Sequence, residues 1–332
     1  MSNKQILILG GAGYIGSHTL NLLKRSNYDV IVIDNLYSGH EKALGDLKDR
    51  FIKGDISSKT LLQAKKNFGK IDGIIHFAGY IEVGESMRSP YKYIKNNIDT
   101  ATLILEFMKD EGVKNIVFSS SAAVYGKDYS EKIKEDFSKN PINVYGFTKS
   151  AFEDILNFYS QIYGINYVSL RYFNASGASH FTNIGEDHPN ETHLIPLILK
   201  TVQGKRDHVD IYGDDYKTKD GTCIRDYIHV DDLASAHLLS MEHIINGGES
   251  NIFNLGGSKG YSVKEIIDTT EKITGMKVNF KISKRREGDP DILIADYSKI
   301  KNILGWQPKF GIDDIIETAW KWHKNNPEGF NI

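Results

Sequence analysis

The run Gln5-Ile6-Leu7-Ile8-Leu9-Gly10-Gly11-Ala12-Gly13-Tyr14-Ile15-Gly16 decides the fold. Gln5–Leu9 reads as a strand covered on both faces, and the periodicity of Ser17–Lys24 reads as the helix after it. Glycines between the two let the backbone turn tightly, approach a pyrophosphate, and pack helix on strand. The helix N-terminus then faces the anion. A second strand, Asp29–Asp34, ends in a carboxylate that can accept bonds from adenine-ribose hydroxyls and repel a 2′-phosphate. Its neighbours Asn35 and Leu36 are uncharged, so the expected cofactor is NAD rather than NADP. The expected contacts are Gly10, Gly13, Tyr14, Ile15, Gly16, Asp34 and Asn35, with Asp55 and Ile56 after a third short strand. Phe77, Ala78 and Gly79 extend the set, as small residues at another strand end. His76 is expected to pack and hydrogen-bond locally rather than to do chemistry.

Outward from this unit, the apolar runs Asp72–Phe77, Asn115–Ser119 and Asn166–Arg171 alternate with helical segments at Thr100–Lys109 and Ser150–Tyr163. That alternation predicts an α/β fold, a doubly wound parallel Rossmann sheet occupying residues 1–174. Past Asn174 the texture changes. Residues 175–192 read as a loop, followed by a helix near Leu194–Val202, a polar hairpin-like stretch at 210–222, and a helical Val230–Met241. Ile252–Leu255 looks like a strand, and Val263–Thr274 and Ile312–Asn325 like helices. Residues 175–332 are therefore expected to form a smaller mixed α/β substrate domain, able to lend an element back to the large sheet.

Composition narrows the function. The 332 residues are 40% hydrophobic, with 18 tyrosines and 15 phenylalanines, so a large core is available and disorder is excluded. Lysine plus arginine (41) nearly balances aspartate plus glutamate (43), which argues against a nucleic-acid partner. No apolar run approaches the roughly 18–20 residues that span a bilayer, and the N-terminal apolar stretch lacks the features of a cleavable signal. The expectation is a cytoplasmic protein, with the triplets Asn174-Ala-Ser176 and Asn190-Glu-Thr192 matching a glycosylation pattern by accident. The single cysteine, Cys223, excludes an internal disulfide and any multi-cysteine zinc site, and no metal is expected.

Ser119-Ser120-Ser121-Ala122-Ala123-Val124-Tyr125-Gly126 closes the Asn115 strand, and Tyr145-Gly-Phe-Thr-Lys149 follows on a helix. The i, i+4 spacing sets phenol and ammonium on one helical face. Common by itself, the pair becomes specific beside a hydroxyl-rich strand end and a dinucleotide turn. Here the chain resembles the extended short-chain dehydrogenase/reductase family. Within it, GGAGYIGSHT, DNLYSG, HFAG, NNIDTATLIL, SSSAAVYG, YGFTK, LRYFNASGA, GTCIRDYIHVDD, FNLGG and RREGDPD look like the UDP-glucose (UDP-galactose) 4-epimerases.

That resemblance implies Tyr145 as base, Ser121 as its hydroxyl partner, and Lys149 as the cation that also contacts the nicotinamide ribose. Asn96 and Tyr172 join the NAD contacts. Asn174, Leu194, Tyr212, Arg225, Arg286 and Asp289 would hold the UDP moiety of a UDP-sugar. It also implies a homodimer through helices near Ile98–Lys109 and Lys149–Tyr163, with Leu103, Ile104 and Phe107 as candidate contacts. Leu293 falls where relatives restricted to plain hexoses tend to carry Tyr, so room for a 2-acetamido group is expected. Ile81 stands where many relatives carry a lysine near the nicotinamide.

The chemistry suits these roles. Oxidising a secondary alcohol needs a hydride acceptor and a base for the hydroxyl proton. A cation about 5 Å away, at an effective dielectric near 20, stabilises a phenolate by about 3 kcal/mol, roughly two pKa units. Arg225 and Arg286 each offer a fork of donors for a phosphate. A 4,6-dehydratase, the nearest rival, would place an Asp-Glu pair inside the strand-end motif, where this chain has Ala122-Ala123-Val124. Net dehydrogenases would release NADH each turnover. Silent nucleotide sensors usually lose Tyr or Lys of the pair, and both remain here.

Overall fold

The computed structural model describes residues 3–126, 129, 131–286 and 289–330; Glu287 and Gly288 of the RREGDPD motif lie outside them. In chain order come β1 (Gln5–Leu9), α1 (Tyr14–Arg25), β2 (Asp29–Asp34), β3 (Phe51–Lys53), α2 (Ser58–Phe68) and β4 (Gly73–His76). Short helices α3 (Val83–Arg88) and α4 (Pro90–Ile94) lead through a π-helical turn, Lys95–Asp99, into α5 (Thr100–Glu111). Then follow β5 (Asn115–Ser121), α6 (Val144–Tyr163), β6 (Asn166–Tyr172), β7 (Asn174–Ser176), α7 (Leu194–Val202), β8 (Val209–Tyr212) and β9 (Ile224–His229). The last stretch holds α8 (Val230–Ile245), β10 (Asn251–Leu255), β11 (Gly260–Ser262), α9 (Val263–Thr274), β12 (Phe280–Ser283), β13 (Ile292–Leu293), α10 (Ser298–Leu304) and α11 (Ile312–Asn325).

A seven-stranded parallel sheet runs β10-β6-β5-β4-β1-β2-β3. Both faces are covered, which is why its strands read as unbroken apolar runs. Ile6 and Ile8 pack with Leu20 and Leu23 of α1 and Leu233, Met241 and Ile244 of α8. Leu7 and Leu9 face the other way, toward Leu61 of α2, Ile104 of α5 and Phe152 of α6. The chain returns late to this sheet: β10 pairs with β6 in parallel, in register Phe253 to Leu170. What remains surrounds β9, flanked by β7 and β13 in parallel and β11 antiparallel, over a core built by α7, α9 and α11.

Two expectations need correction. The 210–222 stretch is not a hairpin, because β8 pairs in parallel with β12, a partner some 70 residues further on. Local pattern carries no sign of so distant a pairing. Of the residues suggested for a subunit contact, Ile104 and Phe107 are buried within the chain's own core, and Leu103 packs against the same cluster. The apolar side chains that α6 exposes are Phe147, Phe158, Ile162 and Tyr163.

Candidate active site

The carboxyl ends of β1, β2, β4, β5 and β6 open into one cleft of about 1540 Å³, faced by residues of β7, α7, β8, β9 and β13. It lies where the strand order reverses between β1 and β4, the place where open α/β sheets bind ligands. Single small-ligand pockets run to roughly 300–1,000 Å³, so this cleft has room for two ligands. All the candidate catalytic, cofactor and substrate residues, from Gly10 to Leu293, line it.

At the β1 end, a Cβ on Gly16 would collide with the Gly10 carbonyl oxygen and the Gly11 Cα, so only glycine lets α1 start this close to the strand. Asp34 is almost buried; its two carboxylate oxygens accept the N–H groups of Ala12 (2.9 Å) and Leu36 (2.8 Å). Burial pushes its pKa up and these donors pull it back down, while each oxygen keeps a lone pair for a sugar hydroxyl. Asn35 Nδ2 donates to Asp55 Oδ1 at 2.8 Å, joining the ends of β2 and β3. Tyr14 donates to the Gly177 carbonyl at 2.6 Å, tying the glycine loop to the far wall. A side-chain-free cradle at a helix N-terminus with a carboxylate beyond it fits a dinucleotide.

At the β5 end, Asn143 caps α6 by accepting from Gly146 N at 2.8 Å. A Cβ on Gly146 would overlap the Ala123 carbonyl oxygen, so this glycine sets how closely α6 approaches the turn after β5. The approach brings Tyr145 to the Ser121 hydroxyl. Burial raises the phenol's pKa and the Ser121 hydrogen bond lowers it. One turn on, Lys149 Nζ donates to the Ser119 carbonyl at 2.8 Å and stands 5.7 Å from the Tyr145 ring centroid. Burial brings the ammonium down to about 8, with Glu153 opposing the fall.

Glu153, a further turn along, is held by Arg171 through Nε (2.8 Å) and Nη2 (2.6 Å), and by the Ser120 hydroxyl at 2.6 Å. Tyr172 shares a hydrogen bond with Ser119. Burial thus works against both charges, an effect that the Tyr-x-x-x-Lys spacing does not carry. His76 packs between Phe118 and Phe152, is held neutral by burial and by Lys149 with a pKa near 3, and its Nδ1 finds no hydrogen-bond partner.

On the far wall, Arg225 pairs with Asp289 at 2.6 Å, and Tyr216 donates to the other Asp289 oxygen at 3.1 Å. Arg225 does not pair with its neighbour Asp226. That carboxylate is fully buried and accepts Gly257 N, Ser258 N and Ala295 N, and burial lifts its pKa to about 7. The Arg286 guanidinium stacks over Tyr212 at 4.1 Å, and Asn174 Nδ2 donates to the Asp226 carbonyl at 2.8 Å. Leu293 is half-buried, beside Arg225 in register, and packs on the cluster of Tyr125 and Phe173 while facing the cleft. Ile81 is 41% exposed on the cofactor side.

Two features escaped the sequence reading. Asn97, in the π-helical turn, accepts from Tyr80 N (2.9 Å) and donates to the Tyr80 carbonyl and Thr148 hydroxyl (both 3.1 Å). It thereby joins the turn after β4 to the helix carrying Tyr145. Such turns often mark functional sites, but nothing in a local pattern signals one. The other is a cluster of Glu186, His188, Glu191 and His193, from a segment read only as loop. Its signal was Glu-x-His, twice, five residues apart.

The geometry points first to a class: a dinucleotide-binding protein with a buried tyrosine held beside a buried ammonium in its cleft. Residues 6–256 match the NAD dependent epimerase/dehydratase family, and the chain belongs to it. It is 48% identical over 326 residues to a UDP-glucose 4-epimerase of Lacticaseibacillus casei, covering 98% of each chain. Among solved structures it is similar to the UDP-glucose 4-epimerase from Bifidobacterium longum in complex with NAD+ and UDP. That likeness has 38% identity and a TM-score of 0.92, covering 98% of this chain and 100% of that one. The UDP-Glc/GlcNAc 4-epimerase from Campylobacter jejuni matches at 41% identity and a TM-score of 0.84, covering 97% and 100%.

Proposed function

We propose that the chain interconverts UDP-glucose and UDP-galactose by redox-neutral inversion at C4, with NAD resident in the cleft. The observation that carries this is the Ser121–Tyr145–Lys149 group set between a glycine cradle and the arginines of the far wall, inside one cleft sized for two ligands. Gly10, Gly13, Tyr14, Ile15, Gly16, Asp34, Asn35, Asp55, Ile56, Phe77, Ala78, Gly79, Asn96, Lys149 and Tyr172 are the residues we assign to the cofactor. When bound, NAD supplies the acceptor and later the donor of the C4 hydride. Tyr145 takes the proton from the C4 hydroxyl and returns it after the sugar has presented its other face. Ser121 bridges the sugar oxygen and the phenol, and Lys149 steadies the phenolate.

Arg225 and Arg286 hold the diphosphate, with Arg225 kept in place by Asp289. Asn174, Leu194 and Tyr212 complete the nucleotide's wall. No helix of the described residues is long and apolar enough to cross a membrane. A cytoplasmic location suits the single free thiol, whose pKa burial raises. The assembly we assign is a homodimer, through the apolar stripe on α6.

Leu293 supports a wider substrate range. A leucine here lacks the ring and hydroxyl that would occupy space beside the sugar C2 position, so the 2-acetamido sugars enter as well. The test is incubation with UDP-glucose, UDP-galactose and both UDP-N-acetylhexosamines without added cofactor, with the products separated by chromatography. Interconversion of the first pair is expected with no net NADH. A requirement for stoichiometric added NAD would point instead to a net dehydrogenase.

A further inference from the structure

Glu186, His188, Glu191 and His193 put four ligand atoms within 4.8 Å of one another, outside the proton-moving group. They form a ring of alternating acid and imidazole. His193 Nδ1 lies 2.8 Å from Glu186 Oε1 and 3.0 Å from Glu191 Oε1; His188 Nδ1 lies 3.5 Å from Glu186 Oε1 and 3.3 Å from Glu191 Oε2. Zinc bound by imidazole and carboxylate at roughly 2.0–2.2 Å in a tetrahedron has ligand atoms about 3.3–3.6 Å apart. The four acid–imidazole edges, 2.8–3.5 Å, are at or somewhat below that spacing.

Two further observations point to a ligand. Glu186 is 4% exposed, yet its Oε1 accepts no aligned hydrogen bond and meets only the ion-pair contacts of His193 Nδ1 and His188 Nδ1. Glu191 is oriented by the backbone beside it, its Oε1 accepting Thr192 N at 2.8 Å and His193 N at 2.7 Å. Such outer contacts are what hold metal ligands in aim. In the ring His188 and His193 each engage Glu191 through Nδ1, whereas the other acid–imidazole group, His180, His229 and Asp231, is engaged more fully. There His229 Nδ1 accepts Asp231 N and Nε2 meets the Thr318 hydroxyl, so both ring nitrogens are engaged.

We infer that Glu186, His188, Glu191 and His193 form a binding site for one zinc-like divalent cation. Two imidazoles and two carboxylates favour zinc over calcium or magnesium, which prefer all-oxygen shells. Glu186, His188 and His193 line the cleft, so an ion has a path in. Once bound, it fastens the segment before α7 to the helix whose first residue, Leu194, forms part of the nucleotide wall. The Tyr14 ring stands edge-on to His188 at 6.3 Å, so the ion also braces the glycine loop.

The test uses the full chain and metal alone. Protein stripped with a chelator is loaded with zinc, dialysed into metal-free buffer, and analysed by elemental mass spectrometry; a cobalt-loaded sample is read for four-coordinate visible absorption. About one zinc per chain and four-coordinate cobalt bands are expected. The pair Glu186→Gln and His188→Asn should weaken retention by more than the roughly 10- to 100-fold that outer-contact changes cost. Zinc retained at less than half an equivalent, or cobalt bands of six-coordinate form, would overturn the site. Equal retention by the double variant would place the metal elsewhere. The wild-type measurements decide the matter if the variant does not fold, and none of them depends on epimerase activity.

Discussion

Tyr145 and Lys149 sit one helical turn apart in a site that disfavours charge on both. Burial raises the phenol's pKa and brings the lysine to about 8, so the pair, phenolate beside ammonium, depends on mutual attraction, on the bond from Ser121 to the phenol, and on Glu153 and the Ser119 carbonyl at the ammonium. Tyr145→Phe removes the proposed base without enlarging the site. Turnover should fall by about 10²- to 10⁴-fold, read as kcat with NAD content unchanged. The sign of the pH response follows from Lys149. Its lowered pKa means the ammonium is present below about 8 and lost above it. Turnover should therefore decline on the alkaline side near that pH, and Lys149→Arg should abolish the decline; a wild-type rate still climbing at pH 10 would contradict the assignment. At the sugar end, Leu293→Tyr should cut turnover of UDP-N-acetylglucosamine at least tenfold and spare UDP-glucose. Overfilling a packed pocket costs about 1–3 kcal/mol, or roughly 5- to 150-fold. Equal losses on both substrates would show that Leu293 acts only through its packing on Tyr125 and Phe173.

Between elements, the decisive contact is that of α6 with the turn after β5. Gly146→Ala puts a methyl group where the Ala123 carbonyl oxygen stands, so helix and turn must separate. A displacement near 1 Å can cost about 10²-fold in rate. The expected result is a large fall in kcat with an unchanged circular dichroism spectrum; an active Gly146→Ala would show that the contact is slack. The same elements explain what could be read in advance. Strands β1, β2, β4, β5 and β6 are covered on both faces, so burial writes them as apolar runs at the right spacing from glycine and acid. By contrast, β12 exposes Phe280, Lys281 and Ile282 and pairs with a distant β8, so it leaves no periodic mark. The site followed suit. Residues close in sequence to a glycine turn or a Tyr-x-x-x-Lys spacing were legible, whereas the Arg225–Asp289 pair spans 64 positions and the Asn97 clamp depends on a π-helical turn.

For the molecule as a whole, the feature that bears on assembly is the exposed apolar stripe of α6. Phe147, Phe158 and Ile162 lie on one stripe of that helix, 48%, 60% and 66% exposed, with Tyr163 beside them. Spacings of eleven and four residues keep all three within a narrow arc of the helix surface. A second copy related by a two-fold axis would meet this stripe with its own. Fully burying an exposed large apolar side chain is worth about 1.5–3 kcal/mol; these are half to two-thirds exposed, so six from the two copies supply on the order of 5–10 kcal/mol. Association costs about 4–15 kcal/mol, a similar size, so a stable dimer also draws on the contacts around the stripe. Light scattering at micromolar concentration should give twice the 37.4 kDa chain mass. The pair Phe158→Glu and Ile162→Glu removes four of the six apolar groups and sets like charges in their place, so that variant should run as a monomer. Since both residues point away from the cleft-lining set, its NAD content should be retained. A wild-type particle of single-chain mass would exclude the dimer and leave the stripe as ordinary exposed surface.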